Sequence, residues 1–255
     1  MKSPKTTRSS IVFAVAMFGG LTGVATAQIT GDAVATSRGD LVIHPIDHAT
    51  FVMGWNGKAI YIDPVGGGER FAGLPTPDLI LVTDIHGDHL NVETLSAIVT
   101  PETRIVAPAA VADRLPASLM GQTTALANGE TRRFDGIGVE GVGMYNLTEE
   151  RLRYHDKGRG NGYVVTMGGT RIYIAGDTED VPEMRALQNI DIAFVPMNLP
   201  YTMTEEQAAR GVNAFDPDVV YPYHYQGSDV EKFKALVEAA GGNTEVRLRG
   251  WYATR

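Results

Sequence analysis

Apolar residues come in short bursts separated by glycine-rich turns, and the bursts alternate between strand-like and helix-like spacing. Leu41–His44, Thr50–Met53 and Lys58–Asp63 read as short strands, with turn signals at Gly54 to Gly57 and at Gly66-Gly67-Gly68. Asp78–Thr83 (DLILVT) is an unbroken apolar run of strand length, the mark of a strand buried on both faces. Asn91 suits the cap of a helix over Val92–Ile98, Arg104–Ala107 predicts a strand, and a helix follows near Ala109–Leu115. Arg132–Val142 predicts a hairpin region turning at Gly136 and Gly138. Tyr163–Met167 and Arg171–Ala175 predict another, around Gly168-Gly169, and Asp191–Val195 a further strand. Capping boxes at Thr204-Glu205-Glu206-Gln207 and Ser228-Asp229-Val230-Glu231 start two helices. The second sets Val230, Phe233, Val237 and Ala240 on one face and stops at Gly241-Gly242. No repeat or linker interrupts the pattern. It predicts one α/β (α+β) domain over residues 41–255, economically two sheets covered by helices. Residues 28–40 are small and polar and read as a loose N-terminal arm.

The N-terminus follows another logic. Lys2, Lys5 and Arg8 form a basic region without acids, Ile11–Val24 is apolar, and Ala25-Thr26-Ala27 matches an A-x-A cleavage site. The apolar stretch falls short of the roughly 20 residues that span a bilayer. The expectation is a secretory signal peptide over residues 1–27 cleaved after Ala27. That implies a periplasmic or secreted protein with no stable membrane anchor after cleavage.

Composition narrows the chemistry. With 44% hydrophobic and 20% charged residues, the 255-residue chain has the makings of a sizeable core rather than a disordered tail. A formal charge of −8 argues against nucleic acid as the main partner. The absence of cysteine excludes disulfides, thiolate metal sites and a cysteine nucleophile.

The six histidines carry the functional signal. Thr83-Asp84-Ile85-His86-Gly87-Asp88-His89-Leu90 directly follows the buried strand at 78–83 and precedes the helix cap, so its side chains stand on a rigid base. Asp84 and His86 are two apart and point the same way on an extended loop, whereas adjacent Asp88 and His89 diverge, so one loop can serve two metal positions. Imidazole and carboxylate without thiolate favour a divalent ion, zinc first, with manganese or iron as alternatives. Asp177 ends the strand-like Arg171–Ala175 segment in a Gly-Asp-Thr context, which suits either a ligand or a cap. His224 ends a β-rich run from Val219.

Taken together and in this order, these segments resemble the metallo-β-lactamase superfamily. The likeness runs from about Val42 to Tyr225 and is closest to the branch of ascorbate-6-phosphate lactonase-like proteins and the N-acyl phosphatidylethanolamine phospholipase. The family hallmark H-x-H-x-D-H appears as Asp84-x-His86-x-Asp88-His89, followed by Asp177 and His224. Asp47-His48-Ala49-Thr50 and Ile62-Asp63-Pro64 match two further elements of the branch. The resemblance implies a four-layer αββα sandwich with a site for one or two metal ions at one edge of the sheets. It assigns Asp88, His89 and His224 to one metal position and Asp177 to a bridge. The other position is altered: Asp84 replaces the first histidine, and either Asn146 or His155 stands for the downstream one. Oxygen donors there make that position harder and less selective for zinc, predicting one tight ion and one weaker.

The chemistry this implies is metal-assisted hydrolysis of a small ester, lactone, amide or phosphodiester, with Asp88 orienting the attacking water while also ligating. The alternative is a non-catalytic metal-binding or ligand-sensing protein. His48 suits either a residue that orients a ligand or a packed histidine, and Asp63 either a ligand-holding carboxylate or a turn before Pro64. Tyr201, Tyr223 and Tyr225 are candidate substrate contacts, with packing at a sheet edge as the blander role. Lys157 and Arg159 lie among Gly158, Gly160 and Gly162, a loop open to an anion or simply to solvent.

Overall fold

The computed structural model describes residues 28–252; the predicted signal peptide lies outside them. Fourteen strands form two seven-stranded sheets, each running in chain order. The first holds β1 (Asp32–Val34), β2 (Leu41–Asp47), β3 (Thr50–Trp55), β4 (Lys58–Ile62), β5 (Leu79–Leu81), β6 (Arg104–Ala107) and β7 (Thr123–Ala125). The second holds β8 (Thr131–Phe134), β9 (Ile137–Met144), β10 (Gly160–Met167), β11 (Thr170–Ile174), β12 (Ile192–Pro196), β13 (Val219–Tyr223) and β14 (Glu245–Val246). In each sheet the first four strands pair antiparallel and the last three continue parallel. The two halves therefore repeat one topology, which no repeat in the sequence announces.

Parallel neighbours need crossovers, and these supply the outer layers. In the first half they carry α1 (Val92–Ile98), α2 (Ala109–Ala112) and α3 (Ala117–Met120); in the second, α4 (Pro182–Arg185), α5 (Glu205–Phe215) and α6 (Val230–Ala239). Three apolar layers result. Ile43, Phe51, Ile62 and Leu81 meet Tyr163, Ile174, Phe194 and Tyr223 between the sheets. Leu95 and Val111 cover the outer face of the first sheet, and Val212, Phe215 and Phe233 that of the second. This is the αββα sandwich expected from the sequence.

The helix signals held in part. Thr204 Oγ1 accepts from Gln207 N at 3.1 Å while Gln207 Oε1 accepts from Thr204 N at 3.0 Å, a complete capping box. Thr204→Ala is expected to lower stability by about 1 kcal/mol, read by urea unfolding, with metal content unchanged. At the second box the cap is Asp229, which accepts from Lys232 N at 3.0 Å. Ser228 is diverted: its hydroxyl donates to Met197 O at 2.7 Å. The Ala109–Leu115 helix is shorter than expected, a single turn over Ala109–Ala112.

The arm over 28–40 is not loose throughout. Asp32–Val34 pairs antiparallel with β2 as an edge strand, Ile29 is buried, and Asp32 is gripped by Arg247, Arg249 and the Tyr221 hydroxyl. Three polar-flanked residues are too few for the period-two signal to register. The Gly158–Gly162 stretch is likewise no free loop, since β10 begins at Gly160. A Cβ on Gly160 would stand 2.2 Å from Met144 Cε and 3.0 Å from the Thr83 carbonyl. Glycine there lets the second sheet close against the 83–89 loop, and Asn161 N donates to Thr83 O at 2.9 Å.

Candidate metal centre

The loops after β4, β5, β11 and β13 meet at the carboxyl ends of the parallel strands, where ligand sites of open α/β sheets form. Five of the six histidines come together there; His44 stays apart, its Nδ1 against Thr30 O at 2.5 Å. Two groups of donors result. Asp88, His89, Asp177 and His224 form one, and Asp84, His86 and His155 the other, each with ligand atoms within 4.8 Å of one another.

The first group is built like a coordination shell. His89 Nε2 lies 3.3 Å from Asp177 Oδ2, and His224 Nε2 lies 3.3 Å from both Asp177 Oδ1 and Asp88 Oδ2. His89 Nε2 lies 3.8 Å from Asp88 Oδ2. A tetrahedral ion with ligand bonds of about 2.0–2.1 Å spaces its donors about 3.3–3.4 Å apart. His89 Nε2 and Asp177 Oδ1 are buried with no hydrogen-bond partner, an arrangement that is costly unless something binds there. Two imidazoles and two carboxylates suit a divalent ion. The donor set, its spacing and its orphaned atoms all fit a metal.

The protein holds these donors from behind. Asp63 is fully buried and accepts from His89 Nδ1 at 2.8 Å, Thr83 N at 2.7 Å and Thr83 Oγ1 at 2.6 Å. This fixes the His89 ring with Nδ1 on Asp63 and Nε2 facing the centre. His48 sets its Nε2 3.4 Å from Asp88 Oδ2 and its Nδ1 2.7 Å from the Tyr252 hydroxyl, and its ring lies 3.6 Å from that of His224. His48, Asp63 and His224 all adopt positive φ, at 52°, 45° and 47°. Such backbone costs on the order of 1–3 kcal/mol per residue and collects where a site over-determines it. Both sequence candidates for supporting roles thus touch a donor.

Charge is distributed accordingly. Burial alone would depress the His89 imidazole, but the carboxylates of Asp177 and Asp63 outweigh it and hold its pKa well above the ordinary value. Burial likewise opposes ionisation of Asp177, yet His224 and His89, with His155, keep its carboxyl well below the usual range. Asp88 is held far below that range too: hydrogen bonds from His224 and His48 overcome its burial.

In the second group His155 lies beside Asp84 and His86. His155 Nε2 lies 3.3 Å from Asp177 Oδ2 and 3.9 Å from Asp84 Oδ2. Its Nδ1, 3.2 Å from the Tyr201 carbonyl, must donate there, which leaves Nε2 free. Asn146 is tied down through its amide nitrogen, and its Oδ1 is buried without a hydrogen-bond partner. Its Nδ2 donates to Tyr201 O at 2.7 Å and Arg151 O at 3.0 Å, and its backbone N–H donates to His155 O at 3.0 Å. Asn146 therefore fastens the loop that brings His155 in. Asp84 is fully buried and draws His86 Nδ1 to 2.7 Å. Asp177 faces donors of both groups, His89 and His224 in its own and His155 in the other.

A cleft of about 370 Å³ opens over the donors, with His48, Asp88, Tyr154, Asn198, Tyr201 and Gln226 in its walls. Of the three tyrosine candidates only Tyr201 lines it. Tyr223 is fully buried in the central core, where its hydroxyl accepts from Gly176 N at 2.9 Å and steadies the turn before Asp177. Tyr225 packs on Tyr252 and donates to Arg249 O at 3.1 Å. Tyr154, whose ring meets that of Tyr201 edge-on at 5.0 Å, carried no motif to mark it, and neither did Asn198 or Gln226.

Comparison with known proteins agrees with this geometry. A family profile described as the beta-lactamase superfamily domain matches residues 42–224. The UPF0173 metal-dependent hydrolase of Thermococcus onnurineus (strain NA1) is 32% identical over 206 residues, 75% of this chain and 90% of its own. A crystal structure assigned to a metal-dependent hydrolase from Parabacteroides distasonis ATCC 8503 superposes with a TM-score of 0.80 at 37% identity, over 88% of this chain and 100% of the other. Igni18, a metallo hydrolase of Ignicoccus hospitalis KIN4/I, shares the fold with a TM-score of 0.68 at 24% identity, over 82% of this chain and 94% of its own. These relatives support the superfamily without singling out the lactonase and phospholipase branch. The chain belongs to the β-lactamase superfamily, among the metal-dependent hydrolases of that fold.

Proposed function

We propose that this chain is an exported hydrolase of a small ester, lactone, amide or phosphodiester, working with a divalent ion held by Asp88, His89, Asp177 and His224. The observation that carries this reading is the set of mutually facing donors, three of them buried and two orphaned, at the floor of a cleft of small-molecule size. An ion bound there polarises a carbonyl or phosphoryl group and acidifies a water it binds. The side chains do the remainder. Asp88 is the one donor of its group with a substantially exposed side chain, 44% against 4% or less for the others. Its carboxylate, fixed on the Oδ2 side by His224 and His48, orients the attacking water in the cleft. Because Asp88 stays ionised, it aligns that water, and neighbouring His48 steadies its carboxylate. Tyr154 and Tyr201 form the aromatic wall against which an acyl or leaving group packs.

The test is turnover of p-nitrophenyl acetate, a homoserine lactone and bis-p-nitrophenyl phosphate. Chelation is expected to abolish hydrolysis of at least one of them, and zinc, manganese or iron(II) to restore it, with zinc most effective. A metal-loaded protein inert toward all three would favour the non-catalytic reading, a metal-binding or ligand-sensing protein. Export is checked separately. The protein expressed in its host is expected in the periplasm or medium with Gln28 as its first residue; retention in the cytoplasm with residues 1–27 attached would contradict export.

A further inference from the structure

The Asp84, His86 and His155 group holds a feature that metal binding there would have to undo. Arg159, at the threshold of β10, lays its guanidinium along Asp84. Its Nε donates to Asp84 Oδ1 at 3.2 Å and its Nη2 to Oδ2 at 3.1 Å. The same Nη2 also donates to the Tyr154 carbonyl at 2.5 Å, anchoring the side chain. Asp84 Oδ2 additionally holds His86 Nδ1 at 2.7 Å, shorter than the spacing of about 3.3–3.4 Å between ligands of a tetrahedral ion. Both carboxylate oxygens of a fully buried aspartate are therefore already taken. With Arg159 counted, this group offers no net charge to a dication, whereas Asp88 and Asp177 give the neighbouring group two negative charges. A buried charge without compensation is strongly disfavoured.

We propose that Arg159 is a positioning residue that sets the metal stoichiometry. By neutralising and occupying Asp84 it keeps the Asp84, His86 and His155 position from taking up an ion tightly, so the protein works with one ion, held by Asp88, His89, Asp177 and His224. This rests on the metal-centre reading above and deepens it. The arginine stands in for the charge of a second metal, and His86 and His155 line the cleft without a tightly held ion between them.

The experiment is equilibrium dialysis of the full chain against zinc and, separately, manganese, with bound metal counted by mass spectrometry. Wild type is expected to retain one ion per chain under a modest excess of metal. Arg159→Met, which leaves Asp84 buried and uncompensated, is expected to retain two. Arg159→Lys is expected to stay at one, as is the doubly neutral Asp84→Asn/Arg159→Gln protein. Two equally tight ions in wild type would overturn the proposal whatever the variants do, and so would a folded Arg159→Met protein that stays at one. No tight ion in wild type would overturn the metal-centre reading itself, and this proposal with it.

Discussion

Asp177→Ala is expected to strip the protein of its ion and to lower metal-dependent turnover by about 10³-fold, equivalent to roughly 4 kcal/mol of transition-state stabilisation. The size follows from position. Asp177 faces His89 and His224 at 3.3 Å through its two oxygens and meets His155 at the same distance. Its loss deletes a buried donor, removes one of the two negative charges that balance a dication, and breaks the contact with His155 that joins the two groups. The site sits at an edge of the sandwich, outside the three apolar layers, so the fold should survive. Metal analysis after gel filtration, alongside circular dichroism, checks this. A folded Asp177→Ala protein that keeps stoichiometric metal would remove Asp177 from the centre.

Asp63→Ala is expected to act differently, on stability and affinity together. Asp63 touches no substrate cleft, yet three buried donors depend on its carboxylate: Thr83 N, Thr83 Oγ1 and His89 Nδ1. Stranding groups of this kind costs about 3–5 kcal/mol in total. Alanine is also poorly suited to the φ of 45° at this position. In a domain of this size the loss amounts to a fall in Tm on the order of 10 °C. Metal affinity should fall by about 10–100-fold, because His89 loses the partner that orients it. Asp63→Asn keeps an acceptor for Thr83 N and tolerates the left-handed backbone, so it should lie between wild type and alanine. Urea unfolding of the metal-free proteins separates stability from affinity. Unchanged stability in Asp63→Ala would show that the buried network does not hold the 83–89 loop.

Which parts of this were legible in the sequence follows from how local each signal was. The 84–89 segment, Asp177 and His224 could be read because chemistry-bearing residues stood at the ends of apolar strand-like runs, and those ends converge. Asn146 and His155 could not be separated, because the answer lies in a loop that doubles back through a 3-10 turn at Glu149–Arg151. Spacing along the chain is silent about which side chain such a loop turns inward. Tyr223 is a different case, since the signal was present and unused. Tyr221 and Tyr223 alternate on one face of β13, and Tyr221 is core, so its i+2 neighbour belongs to the same layer. The Arg159–Asp84 pair spans 75 residues, and no local pattern reports such a contact. An acid where an imidazole was expected was the one hint that a cation had to be found for it. The repeated four-plus-three strand topology left no sequence repeat because pairing order is set by crossovers and register, which many sequences satisfy.

The central claim is that Asp88, His89, Asp177 and His224 clasp a divalent ion. Anomalous diffraction from a crystal of the zinc-loaded protein, collected on either side of the zinc edge, tests it most directly. The account predicts one strong peak enclosed by those four side chains, with His89 Nε2 and Asp177 among its ligands. A zinc-loaded crystal with its peak elsewhere, or with Asp177 and His224 turned away from the ion, would contradict it.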